Sequence, residues 1–394
     1  MRVLISGAGI AGPTLAFWLL KSGHEVTIVE RAPELRAGGY LVDFWGAGFD
    51  VADRMGIVPE LRRRGYVFTD AMAIDRSGRR IASIKPAKVM KSGENYLSIV
   101  RSELSAVIYD ALEKAAELIL GDSVTALEDD GTVVRVAFEK SPPREFDLVV
   151  GADGLHSAVR RLAFGPDEDY ERYLGIVFAA FETKGYRPRN DLVAMMYADL
   201  GFQVLRLSLE NDNTLFLISV RRDGPLPEDR AVQEELLRTA LHDGGWETPA
   251  ILEVMPGATD FFFDSVSQIR MPSWSTGRVT LVGDAGAAPS FLAGQGSALA
   301  MVGAYTLAAE LAQTEDHALA FARYEERVAP LIRSKQDAAV GLGLAFAPRN
   351  RWELFVRNTA MRMMGLPGVA DLVMGRSFHD AIDLPPFVGT PPIR

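Results

Sequence analysis

The chain has 394 residues, of which 48% are hydrophobic and 24% charged, proportions typical of a globular enzyme with two or three domains. Its formal net charge of -10 argues against a nucleic-acid partner, because phosphate binding requires a concentrated basic surface. The absence of cysteine excludes disulfides, thiolate metal sites and a dithiol redox relay, and the first residues form a strand-like run instead of a secretory signal. We expect a cytoplasmic protein without a membrane span, as a monomer or a weak homodimer.

The first thirty residues have the hydrophobic pattern of a βαβ unit. A short apolar strand at residues 3–5 is followed by a helical segment, Ala11–Ser22, and by a second parallel strand at Val26–Val29. The intervening GAGIAG has glycines that permit a tight turn, let the backbone approach a pyrophosphate and let the helix pack on the strand. Glu30 ends the second strand, where a carboxylate can bind the hydroxyls of an adenosine ribose. The residues predicted to bind a dinucleotide here are Gly7, Gly9, Gly12 and Glu30.

The central part of the chain contains an insertion in this first domain. A helix is predicted over Ser102–Ala116, and DLVVG at residues 147–151 has the composition of a buried parallel strand. From about Tyr170 to Trp274 apolar residues alternate over long runs, which predicts a mostly antiparallel sheet with one helix near residues 229–242. RVTLV at residues 278–282 then returns to a buried strand, so the first domain resumes after the inserted sheet.

Two helices and a tail complete the chain. The helices are predicted at roughly Ser297–Gln313 and His317–Leu344, and the tail after residue 345 holds six arginines and four acids. An apolar stripe at near-helical spacing lies in this tail, with Arg357 and Arg362 away from it. The stripe consists of Trp352, Phe355, Val356, Ala360 and Met363. It predicts a helix that packs on the first domain, and a lid over an apolar substrate is the alternative.

Two further motifs indicate which dinucleotide the first domain binds. In GADGLHSAVR, Asp153 can cap the turn, and Arg160 presents planar donors for a phosphate or a carboxylate. In GDAGAAPSFLAGQG, residues 283–296, a glycine-rich loop precedes an apolar helix. A helix N-terminus stabilises a nearby anion, and reduced flavin is an anion, so this loop fits the ring of a flavin. Together the three motifs predict an FAD-binding protein.

From Arg2 to about Tyr324 the chain resembles the class A flavoprotein monooxygenases, the p-hydroxybenzoate hydroxylase-like family. The resemblance implies an α/β (α+β) fold in which a Rossmann-like FAD-binding domain carries an inserted, mostly antiparallel β-sheet substrate domain, followed by a C-terminal helical segment. The implied ranges are 1–75, 95–168 and 276–345 for the FAD-binding domain, 76–94 and 169–275 for the substrate domain, and 346–394 for the helical segment.

The resemblance also assigns residues to the cofactor. Arg101 resembles the family's arginine near the flavin phosphates, Asp284 the acid at the ribityl chain, and Pro289 the proline beside the reactive edge of the ring, while Gly38 and Gly39 match a loop near the flavin. The full set of predicted cofactor-binding residues is Gly7, Gly9, Ala11, Gly12, Glu30, Arg31, Gly39, Arg101, Asp153, Gly154, Arg160, Asp284, Pro289, Gly294, Gln295 and Gly296. The cofactor is expected to be non-covalent FAD, with NAD(P)H, NADPH favoured, and O2 as co-substrates.

The implied activity is hydroxylation of an electron-rich aromatic or polyketide-like molecule through a flavin C4a-hydroperoxide. The runs GGWETPAILEVM and FFFDSVSQIRMPSW resemble enzymes that hydroxylate polyketides or oxidatively inactivate tetracyclines. The family often has His after GDA-A and Asn two residues after GQG, where this chain has Gly286 and Ala298, and no residue is assigned a catalytic role. The five histidines form no metal or triad pattern, and no metal is expected. The alternatives are a flavoprotein that sequesters a reactive intermediate without oxygenating it, and a flavin dehydrogenase.

The substrate is expected to be a hydrophobic aromatic small molecule that binds on the inserted sheet. Aromatic side chains stack on flat ligands, and Arg206, among apolar neighbours, can anchor a phenolate. The predicted substrate residues are Phe178, Phe181, Met195, Phe202, Arg206, Phe216, Phe262 and Pro289.

Overall fold

The structure is a computed structural model of the chain, and it describes residues 1–35, 39–86, 95–188, 190–366, 369, 380 and 382–388. The strands of this part of the chain, numbered β1 to β18, are Arg2–Ser6, Glu25–Glu30, Leu41–Trp45, Asp70–Ile74, Arg80–Ile84, Tyr96–Val100, Glu117–Leu120, Val124–Asp129, Val134–Phe138, Arg144–Phe146, Leu148–Gly151, Glu171–Lys184, Val193–Asp199, Phe202–Ser208, Asn213–Arg221, Phe262–Ile269, Ser275–Thr276 and Val279–Leu281. The helices, numbered α1 to α11, are Ala11–Lys21, Ala47–Met55, Val58–Arg64, Arg101–Asp110, Ala158–Ala163, Arg230–Leu241, Thr248–Val254, Asp284–Ala287, Gly296–Leu311, His317–Phe346 and Arg351–Met364.

The first domain is built on a six-stranded sheet with the order β17-β18-β11-β1-β2-β7. Strand β1 pairs in parallel with β2 and β11, and β11 pairs in parallel with β18. The apolar residues of β1 and β11 are fully buried, because helices such as α1 and α9 cover the sheet. The predicted βαβ unit and the return of DLVVG and RVTLV to one parallel sheet are confirmed. The loops that follow β1, β11 and β18 therefore meet at one edge, the usual place for a ligand in such sheets.

The inserted sheet has seven strands in the order β16-β12-β15-β14-β13-β4-β5. All neighbours pair antiparallel except β13 and β4, which are parallel. One face, here called the outer face, packs against α6 and α7. The other, the inner face, packs against Tyr40, Phe291 and Leu292 from loops of the first domain. The predicted antiparallel insertion is thus confirmed, with two faces that have different neighbours.

One predicted boundary differs from the structure. The sequence prediction ended the first segment of the FAD-binding domain at residue 75, but residues 70–74 form β4 inside the seven-stranded sheet. Val193 of β13 pairs with Asp70, and this pairing across a long sequence separation decides which sheet the strand joins. A short apolar run carries no signal of that choice. The other predicted segment of the substrate domain, residues 76–94, contains β5. Its last part, residues 87–94, lies outside the described part of the chain.

The tail forms a helix, as predicted, but with the opposite face inward. In α11 the side chains of Trp352, Phe355 and Met363 are exposed, Trp352 to 70%, whereas Arg357 is only 7% exposed. The expected packing of the apolar stripe on the first domain is therefore wrong. Asn350 caps this helix by accepting hydrogen bonds from two backbone N–H groups. Of the described helices, none combines the length and apolar character needed to cross a bilayer.

Candidate FAD and substrate site

The turn after β1 is closed so tightly that two of its glycines cannot be replaced without movement. Gly7 has φ of 110°, and a methyl group added to it would lie 2.5 Å from the carbonyl oxygen of Ala152. A methyl group on Gly12 would lie 2.0 Å from the carbonyl oxygen of Gly7. These clashes show why helix α1 can begin directly against the strand only with glycine at both positions.

Gly9, Gly39 and Arg101 converge beside this turn. A methyl group on Gly9 would lie 3.6 Å from Nη2 of Arg101, and one on Gly39 would lie 4.0 Å from Cβ of the same arginine. Ser105 of α4 donates a hydrogen bond of 3.1 Å to the carbonyl oxygen of Gly9. The backbone of Gly9 therefore has a guanidinium next to it and no side chain of its own in the way, which is a suitable surface for a pyrophosphate. Gly38 lies outside the described residues.

Glu30 lies at the end of β2 and faces the glycine turn. Its two carboxylate oxygens each accept a hydrogen bond of 2.9 Å, one from the N–H of Ala8 and one from that of Ala32. Arg31 follows it and is exposed. The carboxylate thus sits beside the start of α1, where the ribose of a bound dinucleotide is expected.

The third motif adjoins both the first helix and its own helix, α9. A methyl group on Gly283 would lie 3.1 Å from Cβ of Ala11, and one on Gly296 would lie 3.8 Å from Oδ1 of Asp284. Burial raises the pKa of the Asp284 carboxyl, and the positive charge of Arg101 opposes this shift. The motif therefore brings a carboxylate, a helix N-terminus and the glycine turn to one place.

Two buried polar groups of this loop can form hydrogen bonds to a ligand. Nε2 of Gln295 and Oγ of Ser290 are buried, and neither has a hydrogen-bond partner in the described structure. Behind the loop, Gln268 donates a hydrogen bond of 3.2 Å to the carbonyl oxygen of Pro289, and Gln336 donates one of 3.0 Å to the carbonyl oxygen of Ala288. Buried donors without partners are rare in folded proteins, and the polar edge of a flavin would satisfy them. Gly294 allows the tight bend before α9 because its φ is 65°.

The DG motif is largely engaged by the protein itself. Asp153 accepts hydrogen bonds from the Ser157 hydroxyl and from two backbone N–H groups at the start of α5, while Gly154 turns the chain with φ of 81°. Arg160 is fully buried and donates to Asp167, to the carbonyl oxygen of Ala285 and to that of Leu155. The predicted turn-capping role of Asp153 matches this geometry. Of the two partners predicted for Arg160, a phosphate or a carboxylate, the structure shows the carboxylate of Asp167. Its other donors bind backbone oxygens and connect the motif to α8, so the geometry does not support the prediction that Arg160 binds the cofactor.

An aromatic cluster lies where the inner face of the inserted sheet meets the third motif. Phe178 and Phe291 stack with ring centroids 4.2 Å apart, and Tyr40 contacts Phe178 at 5.5 Å and Phe262 at 5.6 Å. Tyr40, Phe262 and Phe291 are only partly buried. The structure thus brings two predicted substrate residues, Phe178 and Phe262, next to the loop that contains Pro289. Flat aromatic ligands bind well to such surfaces.

The other five predicted substrate residues lie on the outer face, so their assignment to the pocket is wrong. Strand register places four of them directly opposite one another in a row, namely Phe181, Phe216, Arg206 and Met195. Phe202 packs in the same cluster, against α6 and α7. Arg206 does not face a ligand, since Glu247 binds its guanidinium at 2.5 and 2.6 Å. Alternation identifies residues that share a face, but not which face meets the cofactor.

Sequence reasoning missed several residues of this site. Tyr40 and Phe291 lie in motifs that had been chosen for their glycines, and Gln268 and Gln336 support the third motif from separate elements. An aromatic residue directly after a cofactor glycine was the available signal for Tyr40. Nothing in the local sequence marks the two glutamines, because their partners are backbone oxygens distant in the chain. Among the described residues, no three His, Asp or Glu side chains converge as a metal site.

These features define the class of protein. The glycine turn, the guanidinium beside it, the ribose-side carboxylate and the unsatisfied donors before α9 fit the successive parts of one FAD molecule, so the fold and site are those of an FAD-binding flavoprotein.

Comparison with known proteins identifies the family. The family model for the FAD binding domain matches residues 1–334, so the chain belongs to this family. The protein Rv1260 of Mycobacterium tuberculosis (strain ATCC 25618 / H37Rv), named as uncharacterized, is 38% identical over 340 residues, covering 85% of this chain and 91% of that protein. A flavin-dependent monooxygenase from an unknown prokaryotic organism is 33% identical over 349 residues, which cover 88% of this chain and 90% of that protein.

A solved structure agrees with these relatives. The crystal structure of tetracycline destructase Tet(51) superposes with a TM-score of 0.82 at 32% identity and covers 98% of this chain and 99% of that one. The predicted resemblance, FAD as cofactor and the assignment to FAD-dependent monooxygenases are confirmed.

Proposed function

We propose that this monooxygenase consumes NAD(P)H, with NADPH favoured, and hydroxylates an electron-rich, hydrophobic aromatic or polyketide-like molecule, tetracyclines included. The observation that carries the proposal is the aromatic cluster of Tyr40, Phe178, Phe262 and Phe291, in which every ring except that of Phe178 is partly exposed, beside the loop with the unsatisfied donors. Similarity to a protein named as a tetracycline destructase supports the polycyclic class of substrate. Reduced flavin supplies the chemistry that activates O2 and transfers one of its oxygen atoms.

Different residues of the chain would bind the cofactor and the substrate. Gly9, Arg101 and Glu30 would hold the phosphates and ribose, and Asp284 with Gln295 would hold the ribityl chain and ring edge. The aromatic cluster would stack on the substrate and exclude water from the reacting atoms. Arg31, Pro289, Asp153 and Gly154 stay predicted cofactor contacts. A cytoplasmic location and a monomeric or weakly dimeric state remain part of the proposal, and the cysteine-free composition supports the first.

Product analysis with labelled oxygen tests the activity. The holoenzyme receives NADPH, ¹⁸O₂ and a panel of tetracyclines, anthraquinones and simple phenols, and products are measured by mass spectrometry. One labelled oxygen atom in a product is the expected result. NADPH oxidation that yields only peroxide with every compound would contradict the proposed substrate class. Absence of NADPH oxidation with all of them would favour the sequestering flavoprotein or the dehydrogenase.

Flavin content tests the cofactor residues separately. Asp284→Ala and Gly9→Val should both purify with much less FAD, the first because a ribityl contact is lost and the second because a branched side chain would reach the guanidinium of Arg101. The 450 nm absorbance per protein measures this, and circular dichroism controls for folding. Asp337→Ala, at an exposed carboxylate on α10, is the control that should keep its flavin. Full occupancy in both site variants would rule out the assigned cofactor site.

A further inference from the structure

Of the four lysine and arginine side chains that are buried in the described structure, three pair with a carboxylate. Arg160 pairs with Asp167, Arg206 with Glu247, Lys335 with Asp380, and Glu310 with Arg327. Asp122 accepts hydrogen bonds from three backbone N–H groups. Arg357 of α11 differs, because no carboxylate of the described residues forms an ion pair with it.

The partners of Arg357 are neutral oxygens. Its Nε donates a hydrogen bond of 2.8 Å to the carbonyl oxygen of Ala345, and its Nη2 donates one of 2.9 Å to Oε1 of Gln203. Its Nη1 donates a third, of 3.0 Å, to Oδ1 of Asn358. Burial lowers the pKa of Arg357 to about 10, which reflects the cost of a cation held away from water. A buried cation without an anion is unfavourable, and a bound anion would relieve that cost.

Arg357 also lies at one end of the proposed substrate surface. Gln203 is on the inner face, and register places it opposite Ser219, which is opposite Phe178. Two strand spacings separate Gln203 from Phe178, a distance of about 10 Å. On the other side, Ala345 precedes Phe346, whose ring contacts Phe291 at 6.1 Å. Gln203, which accepts a hydrogen bond from the guanidinium, is therefore separated from Phe178 of the aromatic cluster by a distance that a fused polycycle can span.

We propose that Arg357 and Gln203 form an oxygen-anion subsite of the substrate surface, and that the substrate is a polycycle with an ionised phenol, enol or carboxylate at the end opposite its reacting ring. The proposal rests on the proposed function, since it concerns the same site. Asp264 lies at the other end of the same row, opposite Phe178. Its carboxylate would repel the anionic end of the ligand, so the two charges together set the orientation.

A matched pair of ligands tests the subsite on the FAD-loaded enzyme. Anthraquinone-2-carboxylate and anthraquinone-2-carboxamide have the same ring system and differ in one charge, and binding is followed by the change in flavin absorbance without NADPH. The wild-type protein should bind the carboxylate about tenfold or more tightly than the amide, because a hydrogen bond to a charged group contributes more than one between neutral groups. Arg357→Met should abolish this preference and leave amide affinity within about threefold of wild type.

Two variants separate the subsite from a structural role. Arg357→Lys keeps the charge and should retain part of the preference. Arg362→Met removes an exposed arginine from the same helix and should behave as wild type. If Arg357→Met loses its flavin or its cooperative melting, Gln203→Leu replaces it and should weaken carboxylate binding alone.

The outcomes also separate this inference from the proposed function. Equal affinities in the wild-type protein, or a preference that survives in Arg357→Met, would overturn the anion subsite. A preference that depends on Arg357, together with no labelled oxygen in any product, would keep the subsite and overturn the hydroxylation. Failure of both ligands to bind would overturn the anion subsite, whereas the labelled-oxygen experiment alone decides the hydroxylation.

Discussion

The two faces of the inserted sheet follow the same alternation but have different physical properties. On the outer face Phe181, Phe216 and Arg206 form one row, sealed by α6 and α7, and the charge of Arg206 is neutralised by Glu247. On the inner face Phe262 is partly exposed, and the buried Arg357 donates to Gln203 and pairs with no carboxylate of the described residues. A face whose buried charge is neutralised by a neighbouring carboxylate contributes stability, whereas a partly exposed apolar surface beside a buried cation that has only neutral partners has the features of a binding site.

The largest expected effect comes from breaking the ion pair of the outer face. Arg206→Met should lower the free energy of unfolding by about 3–5 kcal/mol, because Glu247 would be left without its cation in a largely buried position. Thermal melting followed by circular dichroism measures the change. The double variant Arg206→Met/Glu247→Met should recover most of the stability, since no charge then stays unpaired. Weaker ligand binding at unchanged stability would instead place Arg206 in the substrate site.

A pair of phenylalanine truncations compares the two faces directly. Phe216→Ala on the outer face should cost about 3–4 kcal/mol of stability through a cavity in a closed core, with unchanged ligand affinity per folded molecule. Phe262→Ala on the inner face should cost about 1–2 kcal/mol, because this ring is already partly exposed, and it should weaken anthraquinone binding. Melting curves and flavin-absorbance titrations of both variants provide the comparison. Equal losses of affinity would contradict the division between the faces.

The smallest effect concerns the edge of the inner face. His156 of the DG motif lies 3.0 Å from Asp264 of β16, and this hydrogen bond raises the pKa of the imidazole, with smaller contributions from the charges of Glu171 and Asp167. The resulting stabilisation is present below the unfolded-state pKa near 6.5 and is lost as pH rises through the higher folded-state value. Since the histidine is nearly half exposed, the pair should contribute only a few tenths of a kcal/mol.

The pH dependence is measured as a difference between two proteins. The melting temperature of wild type minus that of Asp264→Asn should be positive at pH 6 and should shrink towards pH 9. A difference that grows with pH would mean that the pair does not hold a protonated histidine in the folded state.

Local chemistry made the cofactor site predictable. Gly7 and Gly12 stand where no other side chain fits. Glu30 ends one strand of the parallel sheet and Asp284 follows another, so spacing along the chain indicated their place. The inserted sheet was predictable as a sheet. The orientation of the sheet could not be predicted, because alternation assigns residues to two faces without saying which face meets the cofactor. The packing of α6 and α7 on one face determines this.

Two arginines show what local sequence patterns could not predict. Arg206 had the local pattern of a ligand anchor, but it pairs with Glu247, 41 positions away. Arg357 had the pattern of a solvated helix face, but it is buried against Gln203, 154 positions away. In both cases a residue distant in sequence decides whether the charge is neutralised.

The amino-acid sequence by itself determined the dinucleotide turn, the parallel sheet with its insertion and the class of cofactor, because each depends on contacts between near neighbours or on periodicity. Only the tertiary structure decided which sheet face meets the flavin loop, which buried arginine pairs with a carboxylate and which side of the tail helix is buried. These properties depend on the mutual burial of segments distant in the chain, and the free energy of burying a charge or a ring is set by what surrounds it.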